Sequence, residues 1–383
     1  MTTAARPAPI TRASLLRRAA VGGAGLTAAG SWFASEALAT GAGAPPARRG
    51  GLYDRVNRIA GLVCNVSDLE RAKEFWERWT PMRAYARTTT PRQSFRGLGV
   101  GSGRFDGYLM RDTWEPGVLG KGQFYLHLVQ WTDPAPVGAP YDSSRNPGWY
   151  RLAFNIPDTQ AMYDRLVAAG VTPYAPPAFD PPAGLTPVSG FGYPDPDGIT
   201  LQVIRGRPDL PDRVDHPACP TFDLQRSWRF YRDVIGLDMA LRASSCPIPN
   251  QWDRHGGSGP YEATLLRARG ASPVNLDIVQ WGGDQPTAGR PYRSPLNLGY
   301  AQVVFEVDDI RASYDILRRL ERRRHADFRL AGPPEVWDLG PDVGTRTNVI
   351  LHDWMGVRYQ LVEAVPNPPE WDRPLPAPVC STT

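Results

Sequence analysis

Apolar residues fall at helical spacing from Leu69 to Trp79, at Leu69, Ala72, Phe75, Trp76 and Trp79, behind an Asp68 that reads as an N-cap. The stretch before it, 58–66, is apolar and β-branched enough for a strand. The same order of strand, Asp and helix returns at 149–156, Asp158 and 162–169. It returns again at 216–222, Asp223 and 228–235, and at 300–307, Asp309 and 314–320. Short β-like runs separated by Gly, Pro and Asp follow each helix, so the pattern predicts four βαβββ units in an α+β fold. One such unit is too small to bury its sheet alone, and pairs are expected to close into two cupped mixed-sheet barrels.

The units also match at longer range. Leu-Val-Gln-Trp at 128–131 comes back as Ile-Val-Gln-Trp at 278–281, Pro140-Tyr141 as Pro291-Tyr292, and Asn146-Pro147-Gly148-Trp149 as Asn297-Leu298-Gly299-Tyr300. The offset is 150 residues at the Trp and 151 from Phe154 to Phe305, so the halves align almost without insertion. A period this long means duplicated domains, not a solenoid. Joining neighbours along the chain gives an N-terminal two-module domain at 56–206 and a C-terminal one at 207–365, followed by a Pro-rich tail at 366–383.

The first residues follow another grammar. Arg12, Arg17 and Arg18 precede a weakly apolar, Gly-rich run to Ala34, and Ala37-Leu38-Ala39 supplies small residues two apart. This predicts a signal peptide over 1–39, twin-arginine-like in its Arg17-Arg18 pair, with a linker at 40–55 and export from the cytoplasm. The run is too short and too rich in glycine for a membrane-spanning helix, so no stable membrane anchor is expected. Loss of 1–39 removes four arginines and one glutamate, taking the net charge from +4 to about +1. A near-neutral surface argues against nucleic acid as a partner. The run Arg318-Arg319 with Arg322-Arg323-Arg324 reads as a solvated helix face. Four cysteines are too few for a disulfide scaffold, although Cys219 and Cys246 could pair.

The residues Val66-Ser67-Asp68-Leu69-Glu70-Arg71 with Phe75-Trp76, and Phe222-Asp223-Leu224-Gln225-Arg226 with Phe230-Tyr231, resemble the opening strand and helix of vicinal oxygen chelate proteins. That superfamily includes glyoxalase I, bleomycin-resistance proteins and extradiol dioxygenases. Asp195-Pro196-Asp197-Gly198 before Ile199-Thr200-Leu201-Gln202-Val203 resembles its closing turn and last strand, and 349–361 is a degraded copy. The resemblance covers about 56–365 and implies the glyoxalase-like barrel, with metal ligands on the first and last strands of paired modules. On this frame the first half offers Gly61, His127, Arg151 and Gln202, a set unsuited to a cation. The second half offers His216, Asp277, Gln302 and Gln360, which suit a divalent ion such as Fe, Mn, Ni or Zn.

His255, on the Gly-rich turn Asp253-Arg254-His255-Gly256-Gly257, is a candidate general acid or base. His127 suggests a polar pocket or anion contact, His325 a surface position and His352 a structural one. The leading expectation is an exported metalloenzyme acting on a small oxygenated, possibly aromatic, molecule by lyase, isomerase or dioxygenase chemistry in the C-terminal barrel. The alternative is a metal-free protein that binds or sequesters such a molecule. A third possibility is a partner-binding protein that kept the fold and lost its chemistry.

Overall fold

The computed structural model describes residues 51–112, 124–177, 190–205, 212–249, 253–256, 258–269, 274–283, 286–323 and 327–364, and there the expected α+β fold forms. The first module runs β1 (Val56–Asn65), α1 (Leu69–Trp79), β2 (Met82–Thr89), β3 (Gln93–Phe95), β4 (Val100–Asp112) and β5 (Tyr125–Asp133). The second runs β6 (Arg151–Ile156), α2 (Thr159–Ala168), β7 (Gly190–Pro194) and β8 (Thr200–Arg205). The third runs β9 (Arg213–Pro220), α3 (Leu224–Phe230), β10 (Asp238–Pro249), β11 (Ser258–Arg267) and β12 (Leu276–Trp281). The fourth runs β13 (Gly299–Val307), α4 (Ile310–Glu321), β14 (Phe328–Leu330), β15 (Glu335–Asp338), β16 (Thr345–Asp353) and β17 (Arg358–Glu363).

The repeated residues explain how each module starts. Asp68, Asp158, Asp223 and Asp309 accept from the backbone N–H of Arg71, Ala161, Arg226 and Ala312, satisfying donors that a first helical turn leaves open. The repeated Gln reinforces two of these caps, since Gln130 Oε1 accepts from Leu69 N and Gln280 Oε1 from Leu224 N. Helices α3 and α4 begin a turn before the apolar spacing reveals them, because the capping Asp starts them.

Module pairing differs from the order along the chain. One sheet runs β14-β16-β17-β13-β1-β5-β4-β2 and so joins the first module to the fourth; the other runs β10-β11-β12-β9-β6-β8-β7 and joins the third to the second. The seams are antiparallel, with Val63 opposite Gln302 in one and Arg151 opposite Ala218 in the other. The division at 56–206 and 207–365 therefore does not describe the barrels. All four opening strands carry similar apolar patterns, so the pattern leaves the partner open and the connectors choose it.

The two connectors meet at a pair of tyrosines. The rings of Tyr141 and Tyr292 stack at 3.8 Å and 3°. Each hydroxyl accepts the other residue's backbone N–H, at 2.6 and 2.7 Å. Gly148 and Gly299 have φ of +124° and +107°, and a Cβ there would come within 2.6 and 2.8 Å of the Tyr141 and Tyr292 hydroxyls. Glycine is needed at both places for the rings to lie flat.

A single core runs through both sheets and the helices, with Trp76 of α1 meeting Phe154 of β6 and Tyr300 of β13 edge-on. Cys64 and Cys219 are buried free thiols, and the Cys246 side chain lies outside the described residues. No helix among the described residues is long and apolar enough to cross a membrane. The signal segment 1–39, the tail 366–383, His325 and Cys380 lie outside the described residues.

Tyr292→Phe removes the acceptor of a part-buried backbone N–H and is expected to cost about 1 kcal/mol. Tyr141→Phe should match it. The check is a lower urea midpoint at constant slope for each; unchanged midpoints would show that the stack does not hold the connectors.

Candidate functional site

Each sheet presents a face turned away from the helices, and the two faces differ in kind. On the β1–β13 sheet this face is filled by Phe95, Phe105, Trp131, Trp337, Val304 and neighbours. Phe95 alone packs against Phe105, Trp131 and Trp337 at 5.5, 5.1 and 5.2 Å. The equivalent cluster in the β6–β9 sheet contains Ala263, Val279 and Trp281, with Tyr261 against them. There the middle of the face is polar.

The four positions expected to hold ligands lie on the same strands in both sheets, but the exchange of modules mixes the sets. The β1–β13 sheet receives Gly61, His127, Gln302 and Gln360. Gln302 Nε2 donates to Gln360 Oε1 at 2.7 Å, and Gln360 Nε2 to Asn348 Oδ1 at 2.5 Å. His127 Nε2 lies 2.9 Å from Thr88 Oγ1, and burial lowers the imidazole pKa to about 3, so it is neutral. A Cβ on Gly61 would meet the Tyr125 ring at 2.6 Å.

The β6–β9 sheet receives His216, Asp277, Arg151 and Gln202. Arg151 Nε donates to Gln202 Oε1 at 2.5 Å, and its Nη2 to Asp277 Oδ2 at 3.1 Å. His216 Nε2 lies 3.6 Å from the same Asp277 oxygen. Its Nδ1 is 2.5 Å from Asp215 Oδ2, and Asn155 Nδ2 donates to the other Asp215 oxygen at 2.6 Å. All of these residues are buried. Burial lowers the Arg151 pKa, and Asp277 is the largest opposing influence. The result is a continuous chain Asn155–Asp215–His216–Asp277–Arg151–Gln202.

The structure thus separates the predicted metal set of His216, Asp277, Gln302 and Gln360, placing two in each barrel. Neither actual set fits a divalent ion. In the β6–β9 barrel the Arg151 guanidinium already bridges Asp277 and Gln202, two of the donors an ion would bridge, and a fixed cation there repels another. In the β1–β13 barrel the amides are bonded to each other, and among the described residues no carboxylate joins them. Among the described residues no group of three or more His, Cys, Asp or Glu is arranged to hold a metal.

His255 also falls elsewhere. Its side chain is exposed on the surface, 3.4 Å from Asp142 Oδ2, and its backbone N–H bonds to Asp253. Asp253 is the buried member of that turn, accepting from Ser144 N and from the hydroxyls of Ser143 and Ser144.

Two site residues escaped the sequence reading. Asp215 stands where the repeat puts Ala60, and Arg145 where it puts Leu296. Arg145 Cζ lies 5.9 Å from the centre of the Trp281 ring, and its buried Nε and Nη2 have no hydrogen-bond partner. Both were visible as departures between aligned halves, a charged residue in one against an apolar residue in the other.

No family model matches the chain, and no curated protein does. Solved structures do. Glyoxalase I from Zea mays is similar with a TM-score of 0.55 at 16% identity, over 80% of this chain and 92% of that one. A single-residue mutant of it gives a TM-score of 0.55 at 16% identity over 81% and 95%. The likeness establishes the glyoxalase-like fold.

Removing one partner of a buried ion pair leaves the other charge uncompensated. Asp277→Asn is therefore expected to destabilise by about 3 kcal/mol in chemical denaturation, and the double variant Arg151→Met/Asp277→Leu to recover most of that loss. His127 supplies a pH signature. Its folded pKa of about 3 lies below the ordinary 6.5, so between these values the unfolded chain binds more protons. The stability it contributes is present above about 6.5 and lost as pH falls toward 3. His127→Gln should flatten the acid limb of the stability profile relative to the parent.

Proposed function

We propose that the chain is an exported small-molecule-binding protein whose site is the β6–β9 barrel and which works without a resident metal. The observation that carries this reading is the Arg151 guanidinium held between Asp277 and Gln202, a fixed positive charge built from the chain's own residues where the fold family implies an ion. Arg145 adds a second cation beside the Trp281 ring, and Tyr261 lies 5.6 Å from that ring. A flat, oxygenated molecule suits such a wall. Its ring would stack on Trp281 and Tyr261, and an oxyanion would accept from Arg145, whose planar fork matches a carboxylate. The similarity to glyoxalase I supports small-molecule recognition, and the Arg17-Arg18 segment supports export.

A second reading, a metal-independent enzyme, is favoured by one arrangement. Asp215 holds His216 Nδ1 and leaves Nε2 directed toward the Asp277 and Arg151 group. An imidazole so oriented can carry a proton, and Arg151 can stabilise a developing oxyanion.

The test is elemental analysis of the full-length protein with a thermal-shift screen of aromatic carboxylates. Substoichiometric metal, with a saturable shift that Arg145→Gln abolishes, is the expected result. A stoichiometric ion that His216→Ala removes would overturn the metal-free reading and restore a metalloenzyme. Turnover of a bound compound that His216→Gln stops while binding persists would select the enzymatic reading.

A further inference from the structure

The fourth module carries a row of basic residues that the β6–β9 site does not use. On three neighbouring strands Arg329 of β14 stands directly opposite His352 of β16, and His352 directly opposite Arg358 of β17. Directly opposed residues share a face, so the three side chains form one row across the sheet. Arg358 is 5% exposed and His352 8%, whereas Arg329 is exposed at the outer strand, so the row opens to solvent at one end.

None of the three has a counter-charge. Among the described residues no ion pair involves Arg329, His352 or Arg358, and Arg358 Nε and His352 Nδ1 are buried without a hydrogen-bond partner. The nearest acid in sequence, Asp353, is committed elsewhere. Its Oδ1 accepts from the backbone N–H of Met355 and Val357, and its Oδ2 from the Tyr359 hydroxyl. Burial lowers Arg358 to about 10, Tyr141 opposes that shift, and Arg329 adds to it. Burial, then Arg358 and Arg329, lower His352 to about 3. The groups acting on the row are therefore its own members and one phenol.

A buried arginine is ordinarily paired, and the buried Nε of Arg358 has no hydrogen-bond partner. An uncompensated buried guanidinium points to a partner outside the protein's own side chains. We propose that the row Arg329–His352–Arg358 is a binding site for a small oxyanion, a carboxylate or a phosphate. Arg358 grips two oxygens with its planar fork. The neutral imidazole of His352 offers one N–H, and Arg329 closes the open end. Strands about 4.8 Å apart make the row about 10 Å wide, which fits a single carboxylate or phosphate group. The site lies in the barrel opposite to the one proposed for the principal ligand and is independent of that reading.

The experiment uses the full-length protein in an anion-poor buffer, titrated separately with inorganic phosphate and sodium acetate at matched ionic strength and followed by calorimetric Tm. The parent should show a saturable rise of a few degrees with at least one of them. Saturation by acetate alone would identify a carboxylate site, and by phosphate alone a phosphate site. Arg358→Gln should abolish the rise while melting at or above the parent in anion-poor buffer, because it removes an uncompensated buried charge. A non-specific salt effect would raise parent and variant equally and would overturn the proposal, as would the absence of any rise in the parent. Arg329→Gln, on an exposed residue, provides a variant expected to fold and should weaken the anion by about tenfold. No weakening in Arg329→Gln together with none in His352→Gln would also overturn it.

Discussion

The arrangement depends on an exchange. Neither half of the chain completes a barrel by itself, and each seam strand takes its antiparallel partner from the other half. Without that partner β1 and β6 would present open edges, which folded proteins avoid. The exchange is held by two connectors that cross at Tyr141 and Tyr292, each ring lying on the other and each hydroxyl accepting the other's backbone N–H. The contact is nearly symmetric because the sequence there is duplicated. The make-up of each site in this molecule follows from this crossing, since it decides which side chains face one another.

Much of this was legible in the sequence. The four helices and their aspartate caps follow from apolar spacing and from a short acidic residue before it. The repeated Gln and Trp pointed to duplication, and the α+β class follows from the recurrence of strand, cap and helix. Partner choice was not legible, because the hydrophobic alternation of β1 resembles that of β6, β9 and β13. Adjacency in the chain then suggested the wrong neighbour. That single step gathered His216, Asp277, Gln302 and Gln360 into one set, although two belong to each barrel. Arg151, one of a set unsuited to a cation, is the residue that faces His216 and Asp277.

The two barrels show how one architecture can diverge after duplication. In one the interior face is apolar and aromatic, and Gln302, Gln360 and Asn348 are amides bonded in a row. In the other the same positions carry a charged chain anchored at Asn155 and Gln202. Arg145, standing where the repeat puts Leu296, and Asp215, standing where it puts Ala60, go with that polarity. A guanidinium can hold two acceptors in fixed geometry as an ion does, but it is tethered and always charged.

The crossing also sets an order of events during synthesis. Asn155 and Asp215, on the inner seam, are only 60 positions apart, whereas Arg58 and Glu306, on the outer seam, are 248 apart. The middle modules can close their sheet as soon as the third leaves the ribosome. The first module must wait, its edge and its aromatic interior uncovered, until almost the whole chain has been made. Long-range pairings of this kind are slow and leave sticky surface exposed meanwhile. The molecule is thus built from the centre outward, and its earliest-made strand is among the last to find its place.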